Sequence, residues 1–396
     1  MAELSPGPWL RLTALGAAAA TLLAVVSGAA GLDTAHRVLA ALAVPPLAAL
    51  VVAAWTTQRR LLPVSLAALI AFGVAALVTQ PSLHVAAAAL AFATSALLCA
   101  LTFRGAAAPN GPWRDYVTLT KPRIMTLLLL TGAGGTFVGA GGVPPLDTLA
   151  VAMLGLGLAC GGASALNHVL DADIDQVMGK RTARRPVAAG RVPPSRALEF
   201  GLALSALSFV LLASFVNVLT AVLAFVGNLF YVLVYTRWLK RTTPQNIVIG
   251  GAAGAVPPLV GYAAATGDLT VAALLLFAIV FFWTPPHFWA LALLIKDSYA
   301  AARVPMLPVV RGERETTRQI VLYSLVLVGI SLLPFAWGTL GFAYLAAALA
   351  LGAYFVLLAW RLRAETTPAR ASVLFHYSLL YLALLFVAMA VDPLIA

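Results

Sequence analysis

Three aspartates fall within five positions of the segment NHVLDADIDQVMGKRTARRPV, in a chain of 396 residues that holds only 14 acidic side chains. Read as a helix, the segment repeats Asn167, Asp171 and Asp175 every four residues, so these three project from one side while Asp173 points elsewhere. Carboxylates one turn apart suit Mg²⁺, a hard cation that takes oxygen ligands and is commonly held by one or two carboxylates plus phosphate oxygens and water. A diphosphate is the natural third party. Lys180, Arg181, Arg184, Arg185 and Arg191 follow directly and supply cations for its oxygens, arginine offering two-point contacts. For any one of these arginines a second reading stands, that of a topological cation at a membrane face. Asp171 and Asp175 are harder to explain as structure alone, because carboxylates at a helix end near hydrocarbon are costly without partners.

Two more polar stretches interrupt apolar sequence. In FFWTPPHFWALALLIKDSYAAARVPMLPVVRG, two prolines and His287 inside a span mark a broken helix. Asp297 is a candidate for a second metal site and Lys296 for a phosphate contact, while His287 lies deeper among Trp283, Phe288 and Trp289. His287 is either a substrate contact or a hydrogen-bonded structural histidine, and the aromatic rings are either pocket walls or a lipid-facing belt. The third stretch, YTRWLKRTTPQNIVIGGAAGAVPPLVGY, adds Tyr235, Lys240 and Arg241, and its glycines allow close helix approach.

The elements that carry these residues follow from composition. With 62% hydrophobic and 10% charged residues and a mean hydropathy of +0.97, the chain cannot hide its apolar surface inside a water-soluble globule. Runs long enough to cross about 30 Å of hydrocarbon recur throughout, and only helices satisfy the backbone of such Ala/Leu-rich segments. Thirteen spans are expected, the first near 9–31 and the last near 373–393. The class is all-α and polytopic: a four-helix N-terminal module over 1–105 and a nine-helix bundle over 113–396, separated by the Gly/Pro/Asn-containing connector around APNGPW. The formal charge of +11 does not point to nucleic acid, because the basic residues sort by loop. With a cytoplasmic N-terminus, only Arg37 of 25 basic residues falls outside, and all three polar stretches fall inside. Cys99 and Cys160 lack CxxC spacing and read as small core residues.

Taken together, the blocks resemble the intramembrane prenyltransferases of the ubiquinone-synthesis (UbiA) superfamily and, within it, the branch that farnesylates protohaem. Asn167-x-x-x-Asp171-x-Asp173-Ile-Asp175 followed by KRTARRP is similar to the superfamily's first Asp-rich motif. LTKPRI at 119–124, YTRWLKRTTPQNIVIGG at 235–251, WTPPHFWALAL at 283–293 and VPMLPVV at 304–310 are similar to the haem branch. The resemblance covers essentially all of 113–396. It implies transfer of a farnesyl group from farnesyl diphosphate to a vinyl group of haem b, giving haem O, with Mg²⁺ as cofactor; the sorting of the basic loops puts the active site on the cytoplasmic face, and the high Ala content favours a plasma membrane. It implies a catalytic set of Asn167, Asp171, Asp175, Lys180, Arg181, Arg185, Tyr235, Lys240 and Asp297, of which Asp171, Asp175 and Asp297 hold Mg²⁺. Lys121, Arg123, Arg184, Arg241, Trp283, His287, Lys296 and Tyr299 are the implied substrate contacts. One departure stands out: relatives tend to read Asp-Tyr or Asp-Asp-Tyr before the loop to VPMLP, whereas here Ser298 precedes Tyr299 and Asp297 stands one place earlier. A one-residue shift turns a helical side chain by about 100°, so Asp297 needs local unwinding to reach the metal.

The N-terminal module is not explained by that family. His36 opens the second span and His84 the fourth, which places two imidazoles at similar depth near the outer face, a geometry for two axial ligands on one haem. The module resembles one four-helix half of a haem A synthase, a resemblance that implies such a synthase as a partner. The other reading is a stabilising extension with two interfacial histidines. Among rivals for the whole chain, a quinone or other aromatic prenyltransferase keeps the Asp/Arg apparatus but not WTPPHFW and LTKPRI. A transporter has no need of three aspartates and a basic run on one face, and a b-type cytochrome would consume no prenyl diphosphate.

Overall fold

The computed structural model describes residues 8–29, 33–57, 61–77, 87, 91, 95 and 113–395, and these contain helices and no strand. Helices α1 (Pro8–Ala29), α2 (Asp33–Thr57) and α3 (Leu62–Leu77) coincide with the first three expected spans. They pack through Leu10, Ala14 and Ala17 against Leu47, Leu50, Ala54 and Ala68, small residues alternating with leucines as apolar helices require for close contact. The fourth expected span, with His84 and Cys99, lies outside the described residues apart from isolated positions, and so does the side chain of His36.

The short helix α4 (Trp113–Leu119) leads into α5 (Pro122–Ala140) and α6 (Leu146–Leu170), after which two short helices, α7 (Ala172–Val177) and α8 (Lys180–Ala183), cap one end of the bundle. Then follow α9 (Pro194–Phe215), α10 (Val218–Thr242), α11 (Asn246–Thr266) and α12 (Val271–Leu294). A second pair of short helices, α13 (Lys296–Ala301) and α14 (Leu307–Val310), precedes α15 (Gly312–Ala336), α16 (Phe342–Ala364) and α17 (Pro368–Ile395). Nine of these helices are long and apolar enough to cross a membrane, and they match the nine spans expected for the second module.

Successive long helices are neighbours, and α17 returns to pack on α5, so the nine form a ring. Across the ring α5 and α11 meet backbone to backbone. A Cβ on Gly135 would strike the carbonyl of Pro258, and one on Gly261 would strike the carbonyl oxygen of Gly132, so only glycine permits this approach. The far half is filled by Trp289, Tyr344, Phe355, Tyr381 and Phe386. There α17 caps α16: Asp392 accepts from the backbone amides of Gly341 (2.5 Å) and Tyr344 (2.9 Å), satisfying two of the donors that a helix start leaves open. Cys160 is half-buried against the Leu156/Phe209/Ala221 cluster, in keeping with a packing role.

Candidate active site

The site forms where α6, α10 and α12 end on the same side of the ring. Asp171 marks the break between α6 and α7, yet its amide still bonds the Asn167 carbonyl (2.9 Å) and the Asp175 amide bonds the Asp171 carbonyl (2.8 Å). Helical register therefore continues through the break, and Asn167, Asp171 and Asp175 stay on one inward face, at 3%, 1% and 0% exposure. Asp173, two residues from each neighbour, points outward to a bidentate contact with Arg241 (2.7 Å to each oxygen).

Three cations converge on the inward face. Lys240 donates to Oδ2 of Asp171 at 2.5 Å, and Arg185 donates to Oδ1 of Asp175 at 2.6 Å. Lys121 donates to Oδ1 of Asn167 at 2.7 Å, while the Asn167 amide donates to Asp171 (2.8 Å) and to Thr236 (3.1 Å). Lys121 holds a left-handed backbone (φ 52°), uncommon for a residue with a side chain. That turn is pinned by Ser164, whose hydroxyl donates to the Leu119 carbonyl at 2.6 Å, and it points the lysine back toward α6. Burial, and next the positive charge of Arg185, push the Lys121 pKa down to about 7, against the pull of Asp171.

Helix α10 brings its residues to this face by widening into a π-helix over Phe230–Leu239. The altered register sets Thr236 and Lys240 on one side and stacks Tyr231 on Tyr235 at 5.5 Å. Gly250 of α11 leaves room for the Tyr235 ring, which packs with Ile174, Met178, Phe288 and Tyr299 in one apolar cluster.

Two carboxylate oxygens in this network, Oδ1 of Asp171 and Oδ2 of Asp175, are buried with no hydrogen-bond partner. An ionised oxygen so placed is costly unless a cation completes it. Two of them one helical turn apart, with the other oxygens already bonded, fit the few oxygen ligands that Mg²⁺ takes from protein when phosphate and water supply the rest. The residues present therefore fit this ion.

Other expected site residues are placed differently. Asp297 is exposed, and among the described residues no group of three His, Cys, Asp or Glu side chains is placed to hold a metal ion. The reason is the helical rotation of α13, which turns Ser298 toward Gly179, its hydroxyl 3.8 Å from where a Cβ there would lie, and buries half of Tyr299. Burial raises the Tyr299 pKa to about 12, keeping it a hydroxyl donor. Lys296 is engaged by Glu313 (3.1 Å) and Arg191 by Asp115 (3.0 to 3.2 Å), so both are tied up in ion pairs away from the inward face. Arg123, Lys180, Arg181 and Arg184 are exposed. Trp283, His287 and Trp289 are buried, which corrects the alternative of a lipid-facing belt. Trp283 donates to the Ser378 carbonyl (2.8 Å), and His287 stacks between Trp283 and Phe375. Because the Ser378 hydroxyl donates to the Phe375 carbonyl (2.6 Å), Nδ1 of His287 must donate to Ser378 (2.6 Å), which leaves Nε2 as an acceptor. Thr236 and His168 were not expected. His168 is buried beside Asn167 with neither ring nitrogen bonded, and its place in NHVLD was the one signal for it.

The model of the UbiA prenyltransferase family matches residues 128–386, about two thirds of the chain. The chain belongs to the UbiA prenyltransferase family. It is 56% identical over 281 residues to a protoheme IX farnesyltransferase of Symbiobacterium thermophilum, covering 70% of this chain and 94% of that protein. A protoheme IX farnesyltransferase of Gloeobacter violaceus is 54% identical over 280 residues, covering 70% and 91%. With the protein of that name from Roseiflexus sp. the identity is 53% over 279 residues, and here the match spans only about half (52%) of the relative's length. Among solved structures, one described as digeranylgeranylglyceryl phosphate synthase superposes with a TM-score of 0.61 at 17% identity, covering 72% of this chain and 99% of that one. A UbiA homolog from Archaeoglobus fulgidus bound to DMAPP and Mg²⁺ superposes with a TM-score of 0.52 at 17% identity, covering 70% and 99%. At these identities the structures establish the shared fold of the nine-helix bundle.

Proposed function

We propose that this prenyltransferase transfers farnesyl from farnesyl diphosphate to a vinyl group of protohaem IX, giving haem O, with Mg²⁺ held at Asp171 and Asp175. The observation that carries the reading is the pair of unpartnered buried carboxylate oxygens ringed by Lys121, Lys240 and Arg185. With Lys121 protonated, three cations and two carboxylates leave one positive charge, and a divalent ion raises this to the balance of a diphosphate ester of about three negative charges. The identity to protoheme IX farnesyltransferases selects the acceptor.

Mg²⁺, when bound, neutralises charge on the leaving diphosphate. Lys240 and Arg185, fixed by their aspartates, are preorganised for the same charge as the allylic C–O bond breaks and its electron pair leaves with diphosphate. The vinyl group attacks the allylic carbon, water adds to the vinyl-derived cation, and one proton is released, so no covalent enzyme intermediate forms. The apolar packing of Tyr235, Tyr299 and Phe288 keeps bulk water from the allylic cation.

The reading places the chain as a multi-pass protein of a plasma membrane, its Asp cluster on the cytoplasmic side, where the basic loops gather. The N-terminal module then serves haem supply or hand-over to a haem A synthase, with His36 and His84 as candidate iron ligands. The test is incubation of membranes containing the chain with haem b, farnesyl diphosphate and Mg²⁺. Appearance of haem O by mass supports the reading, and consumption of farnesyl diphosphate with only a quinone or other aromatic acceptor refutes it.

A further inference from the structure

Of the three cations at the Asp171–Asp175 face, only Lys240 rides on a long helix, α10. Lys121 follows the seven-residue α4, and Arg185 lies just beyond the four-residue α8. Helices this short do not hold their own shape in water, so their cations need an outside anchor. Part of that anchor is apolar: Leu119 of α4 packs with Ala165 of α6, with Val187 and Val192 of the following loop and with Ala197 of α9. The polar part is Arg191. Its Nε and one terminal nitrogen reach both oxygens of Asp115 (3.0 to 3.2 Å), and that terminal nitrogen also donates to the Arg184 carbonyl at 3.0 Å. Asp115 stands six residues before Lys121, and Arg184 directly precedes Arg185. Inside the loop, the Arg191 amide donates to the Pro186 carbonyl (2.9 Å) and the Ala189 amide to the Arg185 carbonyl (2.8 Å), so Arg185 and Arg191 form one piece.

One guanidinium therefore joins the two segments that bring Lys121 to Asn167 and Arg185 to Asp175. The Asp115 side chain is 10% exposed and that of Arg191 45%, so the carboxylate is enclosed while the arginine covers it from the solvent side. A two-point fork fixes direction as well as distance, which a single-point contact does not. Fixed placement is also what makes cations effective against developing charge, and a shift of about 1 Å in a positioning group can cost 10²-fold in rate. We propose that Asp115 and Arg191 are positioning residues for the diphosphate: their fork holds Lys121 and Arg185 at the spacing the diphosphate requires, and Arg191 itself does not touch it. The inference rests on the diphosphate reading above, is independent of the acceptor, and adds to that reading what holds two of its cations in place.

The test pairs the double variant Arg191→Met, Asp115→Asn, which leaves no buried charge unpaired, with Arg191→Lys, which keeps the charge and loses the fork. Binding of farnesyl thiodiphosphate with Mg²⁺ is measured by calorimetry in detergent, and haem O formation gives KM for each substrate. The double variant raises Kd for the thiodiphosphate and KM for farnesyl diphosphate about tenfold, a fraction of what two well-placed charge-assisted contacts supply. KM for haem b stays within about twofold, and Arg191→Lys lies between the double variant and wild type. In a Lys121→Met background the same double change costs only about threefold, because one of the two cations it positions is gone. An unchanged Kd in both variants, an equal loss in the Lys121→Met background, or an equal rise in KM for haem b each overturns the assignment. If Asp171→Ala binds the thiodiphosphate with Mg²⁺ as tightly as wild type, the diphosphate reading itself falls and takes this clamp with it.

Discussion

Replacing Lys240 by Met, which keeps the length of the stem and removes the charge, probes the most enclosed contact of the site. The two groups are 2.5 Å apart, with the lysine side chain 12% and the aspartate side chain 1% exposed. Without the ammonium, Oδ2 of Asp171 keeps only the Asn167 amide, in a place that water does not reach. Breaking one side of a buried ion pair costs about 3–5 kcal/mol, and the surviving amide bond places this case near the lower end, about 3 kcal/mol. At about 2–4 °C per kcal/mol, the variant should melt about 6–12 °C below wild type in detergent with EDTA. Saturating Mg²⁺ should return part of that loss, since the orphaned carboxylate then has a cation. The double variant Lys240→Met, Asp171→Asn removes both charges and should melt well above the single variant, with a coupling energy of about 2 kcal/mol. Haem O formation should fall about 10²–10³-fold in kcat for Lys240→Met, as for loss of one preorganised group facing developing charge. A single variant that melts with wild type, or strictly additive melting shifts in the double variant, refutes the reasoning.

Diphosphate binding should be linked to proton uptake through Lys121. Its pKa of about 7 leaves it largely neutral at about pH 8, a neighbouring anion raises that pKa, and affinity therefore falls as pH climbs from 7 toward the ordinary lysine range. Calorimetry in buffers of different ionisation enthalpy measures the uptake, which Lys121→Met should abolish. Asp392→Ala removes the cap of α16 and should cost about 1–2 kcal/mol of stability with activity per folded molecule unchanged; lost activity at unchanged melting temperature contradicts this. Ser298→Asp adds a carboxylate on the face turned toward Gly179 and should lower the Mg²⁺ concentration for half-maximal rate, whereas exposed Asp297→Asn should leave it within about twofold; the reverse ranking shows that α13 turns in the working enzyme.

The Asp171–Asp175 stripe was legible because a four-residue repeat means one face of a helix whatever the tertiary structure, and the same arithmetic sent Asp173 outward. The long spans were legible because hydrocarbon thickness fixes their length. Partnership was not. Whether Arg191 faces phosphate or Asp115 depends on a helix 76 residues earlier in the chain, and Lys296 is claimed by Glu313, 17 residues on. The pairing of Lys240 with Asp171 depends on the π-helical stretch of α10, for which residue types give no signal. Trp283 and His287 point inward because Ser378 of α17 offers a carbonyl and a hydroxyl, a matter of how α12 and α17 pack. The doubt over Asp297 was visible in the spacing to Tyr299, and the rotation of α13 settles its direction.

The central claim is that the open oxygens of Asp171 and Asp175 hold one divalent ion against a diphosphate. It is tested most directly by locating Mn²⁺, in place of Mg²⁺, by anomalous scattering in crystals grown with the unreactive farnesyl thiodiphosphate. One peak should lie at bonding distance, about 2.0–2.2 Å, from Oδ1 of Asp171 and Oδ2 of Asp175, with diphosphate oxygens on its far side. A bound diphosphate with no ion at these two oxygens, or an ion held elsewhere, contradicts the account.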